Sequence, residues 1–127
     1  MLELEHIAIC AKDTTALKDW YVKLFDFEVV YDNKKEIPTY MLLMKDKSMI
    51  EIYPMAEEGE AGGNKRQGLR HLAFGTDSIE KEYKRLSDGG VDIIDELKTS
   101  PKGVSTFFFR DLEGNIIHFV QRPEKLY

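Results

Sequence analysis

The pattern of apolar and polar positions runs through the chain twice. Residues 3–9 read Glu-Leu-Glu-His-Ile-Ala-Ile and alternate, with Leu4, His6, Ala8 and Cys10 on one face and Ile7 and Ile9 on the other, as a strand does. Asp13 or Thr14 offers a helix N-cap, and Leu17, Trp20, Tyr21 and Leu24 follow at helical spacing. Residues 27–31, 40–44 and 48–53 predict three strands, the last two joined by a turn at Asp46-Lys47. From residue 68 the plan repeats. Residues 69–74 predict a strand, and residues 77–87 a helix with Ile79, Tyr83 and Leu86 on one stripe. Glu80 stands three after Asp77, as in a capping box, and Gly89-Gly90 stops the helix. Residues 91–94, 105–110 and 116–121 complete the second half as strands, with Gly114 placed for positive φ in the last turn.

Each half therefore reads strand, helix and three strands. Residues 55–67 lack any period, and Gly59, Gly62 and Gly63 suit a flexible crossing segment, so they read as a linker and a candidate lid. The expected organisation is one domain over 1–127, with a module at about 1–54, the linker at 55–67, and a second module at 68–127. A period of 65 (71 − 6) to 67 (118 − 51) residues is too long for a solenoid and means two modules.

Composition narrows the partners. With 43% hydrophobic and 32% charged residues the chain has the make-up of a soluble globular protein. Its net charge of −5, with the signs interspersed, argues against nucleic acid or an anionic membrane as the main partner. Cys10 is the single cysteine, which excludes an internal disulfide and fits a reducing compartment. The start of the sequence is acidic and passes straight into a patterned strand, unlike a signal peptide, so a cytoplasmic protein is expected.

The candidate chemistry lies in the repeat. His6 and His71 open the two modules at matched places, and Glu51 and His118 sit at matched places in their closing strands. Alternation puts each on the face opposite Ile7, Ile9, Ile50, Ile52, Leu72, Phe74, Ile117 and Phe119, whose apolar face would bury against the helices. A lone strand histidine is more often structural, and a lone glutamate is usually just solvated. All three histidines in one register, repeated across a duplication, point instead to a shared metal site. Tyr53 should share the face of Glu51; Tyr40, Leu42 and Met44 are further pocket candidates. One alternate set from residues 106–109 also faces inward, with Phe108 the candidate, although the sequence leaves the register open. Arg70, Lys102, Arg110 and Arg122 could each hold a carboxylate, with plain solvation the default.

The segments Glu5-His6-Ile7-Ala8-Ile9, Trp20-Tyr21-Val22-Lys23-Leu24-Phe25, Ile50-Glu51-Ile52-Tyr53, Leu69-Arg70-His71-Leu72-Ala73-Phe74 and residues 109–118 carry a family likeness over essentially the whole chain. The sequence resembles the vicinal oxygen chelate superfamily. That family includes glyoxalase I (lactoylglutathione lyase), methylmalonyl-CoA epimerase, extradiol dioxygenases, and fosfomycin- and bleomycin-resistance proteins. The resemblance implies an α+β fold of two tandem βαβββ modules forming a cupped mixed sheet, helices outside, around a divalent metal. By position it makes His6, Glu51 and His71 metal ligands, and it implies a homodimer.

His118 departs from the family, whose metal enzymes usually place glutamate there. Neutral imidazole can still coordinate, but one carboxylate instead of two leaves a divalent ion with a net charge of about +1 rather than zero. An anionic substrate or enediolate would then be held more tightly, with Glu51 the remaining proton shuttle. Three imidazoles and a carboxylate suit a transition ion better than magnesium or calcium. Zinc and nickel lead, with cobalt, iron and manganese open. The expected function is a metal-dependent lyase or isomerase of glyoxalase I type, acting on a small substrate with vicinal oxygens through a metal-stabilised enediolate. An epimerase or dioxygenase of the same family, or a non-catalytic protein that sequesters a small molecule, is the alternative.

Overall fold

Each half of the chain builds its own four-stranded mixed sheet with one helix, in the α+β, βαβββ plan that the periodicity predicts. The structure is a computed structural model and describes residues 1–59 and 62–127. It divides into two compact units, Met1–Glu60 and Ala61–Tyr127. The first contains β1 (His6–Ala11), α1 (Thr14–Phe25), β2 (Glu28–Asp32), β3 (Tyr40–Leu43) and β4 (Met49–Pro54). The second contains β5 (His71–Gly75), α2 (Ile79–Asp88), β6 (Asp92–Thr99), β7 (Ser105–Arg110) and β8 (Ile116–Gln121). Strand order is β1-β4-β3-β2 in one sheet and β5-β8-β7-β6 in the other, so each first strand pairs in parallel with its unit's last. The expected linker at 55–67 crosses residues 60 and 61 and there lies outside the described residues. Among the described residues no helix is long and apolar enough to cross a membrane.

The apolar alternation fixes which face each helix covers. In the first unit Ile9, Ile50 and Ile52 bury against α1, which contributes Leu17 and Tyr21. Each such side chain contributes roughly 1.5–3 kcal/mol by leaving water. In the second unit Ile117, Phe119, Phe107 and Phe109 form the buried face beneath α2, with Ile79 and Leu86 of the helix. The opposite strand face in each unit carries the candidate ligands.

The helix ends show what sequence spacing resolves and what it misses. Asp13 caps α1, its side chain accepting from the Ala16 amide at 3.0 Å. The Asp77–Glu80 capping box does not form. Ser78 is the N-cap without a side-chain cap bond, and the Ile79 amide donates instead to Gln121 Oε1 of β8 at 2.8 Å. A cap supplied across the fold is invisible to local spacing. At the other end Gly90 takes φ +76, and Val91 N–H and Gly90 N–H donate to the carbonyls of Leu86 and Ser87, a Schellman stop.

β6 runs well past the expected residue 94, to Thr99. Register shifts at Ile93/Asp95 and Asp95/Lys98 break its alternation, and Asp95, Glu96 and Lys98 give this edge strand the charge that discourages edge pairing. A bulged, charged strand has no period to read.

Candidate metal centre

His6 is the first residue of β1 and His71 the first of β5; Glu51 is the third of β4 and His118 the third of β8. The register repeats too. His6 pairs with Met49 and Ala8 with Glu51; His71 pairs with Ile116 and Ala73 with His118. Each histidine thus stands diagonally across one strand gap from its partner ligand, on the face away from the helix. In both units the residue directly opposite the closing-strand ligand is alanine, whose single methyl leaves room for the diagonal side chain.

In the second unit the two rings meet. The His71 and His118 centroids are 4.8 Å apart, and Phe108, which pairs with His118, lies 4.3 Å from the His118 ring and 5.4 Å from His71. The β7 register so places Phe108 on the ligand face and Phe107 and Phe109 in the core. Among the described residues no three His, Cys, Asp or Glu side chains form a cluster able to hold a metal. What each unit presents is a pair.

The donors fit a transition ion. His71 Nδ1 is 2.9 Å from Asn64 Oδ1, and His6 Nδ1 is 2.8 Å from Glu5 Oε1. Both partners are oxygens without a proton to give, so each Nδ1 must carry the hydrogen and donate it. In the neutral rings this leaves the Nε2 lone pairs for a ligand, the arrangement in which an outer partner orients a metal-bound histidine. His118 Nδ1 is buried and makes no hydrogen bond. Burial first, then the charges of His71 and Arg122, lower the His118 pKa from 6.5 to about 4. The ring is therefore neutral at physiological pH, as a metal ligand must be.

This has a stability consequence. At neutral pH His118 is uncharged whether the chain is folded or not. As the pH falls through 6.5 the unfolded chain takes up a proton that the folded chain refuses, so folding stability declines until about pH 4. Because the ring is partly solvated, the expected loss is about 1 kcal/mol rather than the full value of the shift. His118→Asn should remove this component, which chemical denaturation of both proteins across that range will measure; parallel profiles would refute it.

The first hairpin corrects an expectation. Tyr40 and Leu42 do not line the ligand face; they pair with Ile52 and Ile50 and point to the helix, where Tyr40 Oη lies 2.8 Å from Thr15 Oγ1. A two-residue Asp46-Lys47 turn would have put Leu42 opposite Glu51. The turn takes one residue more, with Lys47 in the left-handed region at φ +75, and a one-residue slip exchanges the faces. Met41 is opposite Glu51 instead. Tyr53 does share the Glu51 face and is 38% exposed, paired with Cys10. Of the basic candidates, Arg70 and Arg110 donate to backbone carbonyls of their own loops. A cleft of about 520 Å³ at Lys12–Thr15 and Glu36–Pro38 includes none of the candidate ligands.

Sequence reasoning missed Asn64 and Glu5 as histidine partners. For Glu5 the adjacency to His6 was a signal; for Asn64, seven residues from His71 in an unpatterned segment, there was none.

Comparison with known proteins matches the whole repeat. A family model described as the Glyoxalase/Bleomycin resistance protein/Dioxygenase superfamily matches residues 3–119. The uncharacterized protein YwkD of Bacillus subtilis (strain 168) is 30% identical over 112 residues, covering 84% of this chain and 87% of its own. A glyoxalase family protein from Enterococcus faecalis superposes with a TM-score of 0.78 at 27% identity, covering 93% of this chain and 96% of that one. Lactoylglutathione lyase from Agrobacterium tumefaciens superposes at 0.73 with 19% identity, over 94% and 92% of the two chains, a likeness of fold.

Proposed function

Since the chain belongs to the glyoxalase/bleomycin resistance protein/dioxygenase superfamily, we propose that it is a metal-dependent lyase or isomerase of glyoxalase type, with His6, Glu51, His71 and His118 as ligands of a divalent transition ion. The observation that carries this reading is the matched pair in each unit, with Nδ1 of His6 and of His71 occupied by an acceptor and a neutral His118. When bound, the ion would act as a Lewis acid on adjacent oxygens of a small substrate and stabilise the negative charge that develops there.

The chain's own residues supply the rest. Glu51 is the one carboxylate of the set, and so the group to take a proton from the carbon beside those oxygens and return it to the neighbouring carbon. Phe108 lies against His118 and Met41 stands opposite Glu51, each within its own unit, while Tyr53 offers a hydroxyl on the Glu51 face. The lower carboxylate count favours an anionic substrate. The protein is expected to act as a homodimer on such a small molecule.

Glu51→Gln tests the reading. The variant should keep measurable metal binding, since the amide oxygen can still coordinate, yet lose about 100-fold or more in turnover of a hemithioacetal or other vicinal-oxygen substrate, the scale of a lost general base. Full turnover with metal retained would remove Glu51 from the chemistry. A wild-type protein that binds metal but turns over no such substrate would favour ligand sequestration instead.

A further inference from the structure

We infer that Asn64, in the segment that leads into β5, is a positioning residue for His71: it fixes the ring's tautomer and so prepares Nε2 to bind a metal. The inference rests on the proposed metal function and adds a residue to it.

Asn64 Oδ1 accepts from His71 Nδ1 at 2.9 Å. A neutral imidazole in water carries its proton mainly on Nε2, which would block that nitrogen as a ligand. The amide oxygen reverses the preference by rewarding a proton on Nδ1. The acceptor comes from outside β5, from a loop residue seven positions earlier.

The loop is built to deliver that oxygen. Arg70, adjacent to His71, donates from Nη1 to the Gly63 carbonyl and from Nε to the Gly68 carbonyl, both at 3.3 Å, and the Arg66 amide closes a turn on Gly63 at 3.2 Å. The guanidinium thereby ties residue 63 to the start of β5, with Asn64 next in sequence. A Cβ at Gly62 would stand 2.5 Å from Arg70 Nη1, so a side chain there would shift the end of the guanidinium.

The first module solves the same problem differently. His6 Nδ1 donates to the Glu5 carboxylate, an anionic acceptor supplied by the residue just before its strand. His71 has a neutral acceptor supplied by the linker. An anionic partner raises the basicity of a ligating imidazole more than a neutral one, so the two first-strand histidines are unequal donors. The linker residue is then the adjustable half of the set, and Asn64→Asp should make the second module resemble the first.

The test uses the full chain, free of metal and mildly alkaline so that its histidines are neutral. Long-range ¹⁵N–¹H correlation spectra assign the His71 tautomer in wild type, Asn64→Leu and Asn64→Asp; zinc affinity is then measured by chelator competition. Wild type and Asn64→Asp should show a protonated Nδ1, and Asn64→Leu a shift toward protonated Nε2. Zinc affinity should fall about 10- to 100-fold in Asn64→Leu and hold or rise in Asn64→Asp. Asn64 is exposed, so both variants should keep the wild-type backbone spectrum. An unchanged tautomer in Asn64→Leu, or a changed tautomer with unchanged zinc affinity, would overturn the inference. A tautomer that shifts as expected while even the wild type binds no zinc would uphold Asn64 as the residue that orients His71 and would defeat the metal reading instead.

Discussion

Phe107→Ala is expected to destabilise the protein by about 3–5 kcal/mol, against about 1 kcal/mol for Phe108→Ala one residue along. Phe107 is wholly buried, with its ring 5.0 Å from Tyr83 of α2, 5.3 Å from Phe119 and 5.6 Å from Phe109. Removing it leaves a cavity among aromatic rings that cannot collapse into the space. Phe108 faces the other way and is only partly covered, so its loss exposes the histidine pair and opens no hole in the core. For a chain of this length the larger loss should lower the melting temperature by roughly 10–20 °C. Thermal melts followed by circular dichroism check the contrast. A reversed contrast, with the larger loss at Phe108, would mean that the β7 register is displaced by one residue.

His118→Ala and His71→Ala should each weaken transition-metal binding by more than about 100-fold, beyond the 10- to 100-fold typical of losing an outer-shell partner. The reasoning is geometric. The two rings are neighbours on adjacent strands, and deleting either leaves the second unit with a single donor. His118→Glu should behave differently. It restores a ligand but adds a negative charge, so metal binding should survive with preference moved toward manganese, while affinity for anionic ligands falls. Competition against a colorimetric chelator resolves the three variants. A His118→Ala protein with unaltered affinity would show that the orphaned Nδ1 and the depressed pKa reflect packing alone.

Much of the fold is legible in the sequence, because the chain states its plan twice. Alternation at 6–11 and 49–54, and helical spacing at 17, 21 and 24, are local signals, and the fold obeys them. The matched positions of His6 with His71 and Glu51 with His118 are visible for the same reason. What failed was non-local or broken by a bulge. Tyr40 faces the helix because the β3–β4 turn holds one more residue than its Asp46-Lys47 centre suggests. The α2 cap comes from Gln121, 42 residues away. β6 hides its length behind two register shifts. Phe107, Phe108 and Phe109 are identical letters in a row, and only strand pairing assigns them to faces. Asn64 meets His71 through a loop folded by Arg70, and no sequence period describes such a contact.

The central claim, that the paired open-face residues are metal ligands, is tested most directly by metal stoichiometry. Untagged protein is reconstituted with nickel or zinc, freed of excess metal by gel filtration, and analysed by plasma mass spectrometry beside His71→Ala. Wild type should carry about one ion per chain, bound tightly enough to survive the column, and the variant a small fraction of that. Wild type that emerges without metal after exposure to nickel, zinc, cobalt, iron and manganese would contradict it and return His6, His71 and His118 to structural roles.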